Sequence, residues 1–249
     1  MPSFASYPSL KDRPVFVSGG GSGIGASIVE HFAAQGSKVG FVDINEKAST
    51  EVAKKTGAHF VKCDIRDVKA YQAAIAEVAA KLGPITVLIN NAAHDERHKL
   101  EDVTAKFWDD RIAVNLRHAY FAIQSVAPGM KKAGGGSIVN FSSVSYHTMT
   151  PNLSVYQAAK AAAIGMTRGL ARDLGPDGIR LNAITPGWIM TQRQIELWLT
   201  PEAEADLMKA QVLKEKVYPA DIARMALFLA SDDSRLISAQ NFVVDGGRM

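Results

Sequence analysis

Two hydrophobic patterns alternate along this chain. Short runs rich in Val, Ile and Phe, at 15–18, 39–42, 60–62, 87–89, 138–141, 181–184 and 242–244, are apolar without alternation and predict buried strands. Between them, stretches at 24–35, 68–82, 113–131, 155–174 and 221–230 repeat apolar positions at helical spacing and predict amphipathic helices. Strand following helix following strand predicts parallel strands joined by crossovers, with helices packed on both faces of the sheet. The expected fold class is therefore α/β: one doubly wound domain over residues 1–249, built on a seven-stranded parallel sheet. The segment 191–218 breaks the alternation. It is rich in charge and carries no strand pattern, with Trp188 and Trp198 near its start. Ligands of parallel sheets bind beyond the carboxyl ends of the strands, so a substrate lid is expected within 188–218.

Composition narrows the partners more than the fold. Apolar residues make up 47% of the chain and charged ones 21%, as in an ordinary globular protein. Lys and Arg (28) barely exceed Asp and Glu (25), so a dedicated nucleic-acid surface is not expected. No run approaches the ~18 apolar residues of a membrane span, and the start lacks a basic stretch followed by an apolar core. The cytoplasm is the expected compartment. The lone Cys63 cannot form an internal disulfide and reads as structural.

Candidate chemistry begins at the first predicted strand. It runs into Gly19-Gly20-Gly21-Ser22-Gly23-Ile24-Gly25, and a helical pattern follows at once. Glycines there allow a tight turn and close approach to a pyrophosphate, whose charge is met by the amides and dipole of the helix start. Asp43 ends the next strand about twenty residues later, where a carboxylate can accept from ribose hydroxyls and repel a 2′-phosphate. No basic residue occupies Ser22 or directly follows Asp43, so NAD is expected rather than NADP. Further on, Tyr156 and Lys160 share one helix face, and a cation fixed beside a phenol favours the phenolate. Such a pair can act as a general base. His94 and His98 have superficial metal spacing, but they follow a strand without a third ligand, and no metal is expected. Ser143 near His147 lacks the elbow of a hydrolase.

Taken together, these motifs resemble the short-chain dehydrogenase/reductase family along nearly the whole chain. Ser18-Gly19 through Gly23-Ile24-Gly25 is similar to its glycine turn, with Ser in place of Thr, and Asn90-Asn91-Ala92-Ala93 to its cofactor-lining stretch, with Ala93 in place of Gly. Asp64-Ile65, Asn115, Ser143, Pro186-Gly187 and the ending Val244-Asp245-Gly246-Gly247 also match. The resemblance implies a Rossmann fold and a catalytic set of Asn115, Ser143, Tyr156 and Lys160. Asn115 would support a water joining Lys160 to solvent. It also implies a cofactor site of Gly19, Ser22, Gly23, Ile24, Asp43, Asp64, Ile65, Asn91, Ala92, Tyr156, Lys160, Pro186, Gly187, Ile189 and Thr191, with a homotetramer packed through the helix of Tyr156. Strings at 95–100, 114–118, 127–132 and 191–194 are similar to those of bacterial sugar 1-dehydrogenases acting on free aldoses such as D-xylose or L-arabinose. That implies oxidation at C1 to an aldonolactone. Distinguishing a polyol's hydroxyls needs paired polar groups, for which Asp95, Ser143, Ser145, His147, Tyr156, Gln157, Trp188 and Gln192 are candidates. Two other functions stay open: a carbonyl reductase of the same family, and a dinucleotide-binding sensor without turnover.

Overall fold

The structure is a computed structural model, and it describes residues 4–249; residues 1–3, part of the segment read for a leader, lie outside the described residues. Seven parallel strands form one sheet: β1 (Pro14–Ser18), β2 (Lys38–Asp43), β3 (His59–Lys62), β4 (Val87–Asn90), β5 (Gly136–Phe141), β6 (Ile179–Pro186) and β7 (Asn241–Val244), in the spatial order β3-β2-β1-β4-β5-β6-β7. The order reverses between β1 and β4, whose register pairs Val15 with Val87 and Ser18 with Asn90. A crevice opens at such a reversal, beyond the strands' carboxyl ends.

The runs that looked uniformly apolar alternate between two cores. Val15 and Val17 of β1 face one cluster with Phe41, Ile89 and Ile184, and Phe16 faces the other with Val42, Leu88, Ile138 and Leu181. Both faces are covered, so neither set of side chains needs to be polar. Helices α1 (Gly23–Ala34) and α9 (Pro219–Ala230) close the first core, while α3 (Val68–Leu82) and α5 (His118–Lys132) close the second.

Helices α2 (Glu46–Thr56) and α4 (Ala105–Ile112) were not expected from periodicity. α2 buries only Ser49 and Val52, and α4 buries no residue fully; both are polar on average, with too few apolar residues to stand out beside the core helices. Their starts are set by caps instead: the side chains of Asn45 and Thr104 accept from the amides of Ala48 and Phe107. Between α4 and α5 the chain makes a π-helical turn at Ala113–Arg117. There the Asn115 side-chain amide donates to the Arg111 carbonyl at 3.0 Å, taking an acceptor that the helix ladder would otherwise use. The remaining long helix, α6 (Ser154–Leu174), carries Tyr156 and Lys160. The charged segment expected to lack strands folds as α7 (Gln192–Trp198) and α8 (Pro201–Ala210), with an isolated parallel bridge between Ile189 and Val217. Among the described residues no helix is long and apolar enough to cross a membrane.

Candidate active site

The glycine turn is held by neighbours from three strands. Ser18 Oγ accepts from the amides of Asn91 and Ala92, both at 3.1 Å, so the hydroxyl retained at position 18 is used. Asn91 Nδ2 donates to the carbonyls of Ser18 and Gly19 at 3.1 Å. A Cβ at Gly25 would stand 1.8 Å from the Gly19 carbonyl oxygen, and one at Gly19, whose φ is +70°, would stand 2.9 Å from the Ala92 Cα. Only glycine permits this approach. Ala93, by contrast, is not among the residues with positive φ, so its Cβ costs the backbone nothing. Asp43 is not a helix cap: its Oδ2 accepts from Gly21 N and its Oδ1 from Asn45 N, each at 2.9 Å. It thus ties the turn to the end of β2 with a negative charge at the crevice.

A cavity of about 420 Å³ lies at the carboxyl ends of β4, β5 and β6. Ile24 and Asn91 line it on the side of the glycine turn, and Pro186, Gly187, Ile189 and Thr191 on the side of β6. Ser143, Tyr156 and Lys160 meet there, as do Asp95, Ser145 and Trp188. Gly19, Ser22, Gly23 and Ala92 do not line the cavity; Ser22 precedes α1. Asp64 and Ile65 follow β3 outside the cavity, where Asp64 is paired with Arg66 at 2.6 Å.

Lys160 is 2% exposed and donates to the Phe141 carbonyl at 3.0 Å. Its ammonium lies 5.6 Å from the centre of the Tyr156 ring. Burial lowers Lys160 to about 8 and pushes the Tyr156 phenol above its ordinary value; Asp95 adds to the latter shift, while Ser143 and Arg193 oppose it. The sequence alone suggested that Lys160 would depress Tyr156. Within the chain itself desolvation wins, because both groups are withdrawn from water on the same helix face.

Four expected site residues do not line this cavity. Asn115 makes no hydrogen bond to Lys160 among the described residues; its Oδ1 accepts from His94 N at 2.8 Å and its Nδ2 donates to His94 O at 3.1 Å. It therefore staples the loop after β4. Gln157 donates to the carbonyls of Ser145 and Thr150, at 2.9 and 2.7 Å, shaping the loop before α6 from outside the cavity. His147 is exposed, its ring packed 3.9 Å from that of Tyr146. Gln192 points to solvent and donates to Glu196 at 2.6 Å. Its place in the cavity is taken by Gln194, whose Oε1 accepts from Trp188 Nε1 at 2.9 Å. Thr191 caps α7 and accepts from Gln194 N, which sets the inward position three residues past the cap. Arg97, Trp198 and Arg248 also line the cavity, and no periodicity pointed to them.

The residues present suit a dinucleotide: the cradle at Gly19 and Gly25 has no room for a Cβ, and the buried Lys160 ammonium has two donors without a partner among the described residues. A phosphate cradle at the helix start, placed across the crevice from a phenol and an ammonium, defines a nucleotide-dependent oxidoreductase.

Comparison with known proteins agrees. The family model described as enoyl-(acyl carrier protein) reductase matches residues 19–248. The chain is 49% identical over 249 residues to a protein named "Probable galactose dehydrogenase" from Rhizobium meliloti (strain 1021), covering 98% of this chain and 97% of that one. It is 48% identical over 250 residues to D-xylose 1-dehydrogenase from Caulobacter vibrioides (strain NA1000 / CB15N), covering 98% and 99%. The crystal structure of a blue fluorescent protein from a metagenomic library, in complex with NADPH, superposes with a TM-score of 0.89 at 32% identity, covering 96% of this chain and 99% of that one. The chain belongs to the short-chain dehydrogenase/reductase family of oxidoreductases.

Proposed function

We propose that this protein oxidises a free aldose at C1 to the aldonolactone, with NAD as the acceptor. The observation that carries the reading is that Tyr156, Lys160 and Ser143 converge on a cavity whose far side is lined by Asp95, Gln194 and Trp188. Donors, acceptors and an indole face there suit a pyranose, which needs its hydroxyls paired and offers a C–H face to an aromatic ring. The likeness to proteins named as galactose and D-xylose dehydrogenases supports the same class.

Tyr156, as phenolate, takes the anomeric hydroxyl proton. Ser143 holds the reacting oxygen, and Lys160 orients the nicotinamide ribose while its charge favours the phenolate. NAD, when bound, supplies the hydride acceptor. Asn115 staples the loop after β4 and supports a water joining Lys160 to solvent. Asp43 supports NAD over NADP, since a carboxylate at the end of β2 beside the glycine turn would repel a 2′-phosphate. The segment 188–218, carrying α7 and α8, serves as the lid of a single catalytic domain. Exposed Ala158, Ala161, Ala162 and Gly165 on α6 support packing of this helix against another subunit in a homotetramer.

The test follows nicotinamide absorbance while the protein meets NAD or NADP with D-xylose, L-arabinose, D-galactose, L-fucose and L-rhamnose. Reduction of NAD with one or two sugars is expected. Silence across the panel, with NADH binding intact, would overturn the sugar assignment and move the search to secondary alcohols and ketones, as for a carbonyl reductase.

A further inference from the structure

Asp95 joins two segments that are far apart in the chain. Its Oδ2 accepts from Gln194 Nε2 at 3.0 Å, and its Oδ1 is paired with the guanidinium of Arg193; both partners belong to α7. Gln194 passes the contact on to Trp188. The loop bearing Asp95 is itself fixed, because Asn115 pairs with both backbone groups of His94. A second contact crosses the same gap, with the Arg97 guanidinium 4.0 Å from the Trp198 ring centre. Three of these groups, Asp95, Gln194 and Trp188, line the cavity that holds Tyr156.

We propose that Arg193 is a positioning residue: it docks α7 on Asp95 and cancels that carboxylate's charge, so that seating the lid and readying Tyr156 as a base are one event. The inference rests on the reading of Tyr156 as the base. Arg193 is 45% exposed and Asp95 24%, so the pair adds little to stability. Its effect is felt at the phenol. The titratable groups that bear on Tyr156 are Lys160 on its own helix, Asp95 and Arg97 on the loop after β4, Arg193 on α7 and Arg248 near the C-terminus; Glu96, Arg111 and His94, whose imidazole is held below its ordinary value by burial, lie outside the cavity. Asp95 raises the phenol and Arg193 lowers it. Seated, α7 supplies a cation to offset the carboxylate; displaced, it leaves Asp95 alone beside the base.

The test compares full-length R193Q, R193K, D95N and the R193Q/D95N double variant. The acid limb of the pH profile of kcat/KM is read for whichever alcohol the wild type oxidises. R193Q should move the limb up by about 0.5–1 pH unit. R193K should restore most of it, D95N should move it down, and the double variant should lie between D95N and R193Q. In the protein alone, R193Q should also shift tryptophan emission to the red in a background where Trp108 is Phe. An unmoved limb in R193Q, or equal shifts in R193Q and D95N, would overturn the inference while leaving a sugar dehydrogenase intact. If no aldose is oxidised, the sugar reading fails, and the limb measured with another alcohol decides the inference. If no alcohol is oxidised at all, unchanged emission in R193Q would overturn it.

Discussion

The Lys160 ammonium, buried in α6, donates to the carbonyl oxygen of Phe141 at the end of β5, 3.0 Å away. That bond anchors the charge beside Tyr156, and the withdrawal from water that makes the site dry also destabilises the charge. Folding lowers Lys160 from 10.5 to about 8. Between those values the unfolded chain binds more protons, so this group's contribution raises stability with pH across the window, and its penalty is fully present below pH 8. In Lys160→Met this rise should be absent. Urea unfolding at several pH values should then show the wild type gaining on the variant by up to about 3 kcal/mol as pH rises through the window. Parallel stability curves would mean that the ammonium is not desolvated.

Tyr156→Phe keeps the ring against Lys160 and removes only the hydroxyl. Turnover should fall by about 10³-fold or more, while NADH binding, followed by fluorescence, should stay within a few-fold of wild type. Retained turnover would remove Tyr156 from proton transfer.

Asp43 both holds Gly21 and places a negative charge at the crevice. Asp43→Asn keeps one acceptor for the turn but loses the charge, so the preference for NAD over NADP in kcat/KM should shrink by about tenfold or more, the equivalent of ~1.4 kcal/mol. The check is the ratio measured with both nucleotides. An unchanged ratio would place the selectivity elsewhere.

Gly25→Ala puts a methyl against the Gly19 carbonyl, which is backbone and cannot swing away. The turn must open, and NADH binding should fall below detection, with a stability loss of about 1–3 kcal/mol. Gly169→Ala in α6 meets nothing of its own chain within 4 Å and should leave NADH binding at the turn unchanged. Equal behaviour of the two variants would argue against the close approach.

Gln194→Ala removes the link between Trp188 and Asp95, while Gln192→Ala removes only a solvent-side contact with Glu196. KM for the sugar should rise about tenfold in the first and stay within twofold in the second. The opposite ranking would restore the position first expected from sequence.

By itself the sequence determined the strand order along the chain, the parallel sheet, the glycine turn, the acid after the second strand and the Tyr156–Lys160 pair. Each of these depends on near neighbours: apolar runs on a two-faced sheet, glycines at a tight turn, and residues one helical turn apart. Helices α2 and α4 escaped because they are polar on average and bury almost nothing, so their few apolar positions do not stand out, and their starts are set by side-chain caps. Only the tertiary structure decided which side chains reach the cavity. Gln194 faces in and Gln192 out because Thr191 caps α7 and fixes its rotation. Asn115 grips His94 because a π-helical turn carries its amide to the loop after β4. Asp95 meets Arg193 only after β6 and the lid fold back over β4. Such contacts join residues distant in the chain, and their pairing is set by packing and rotation, which a linear pattern does not encode.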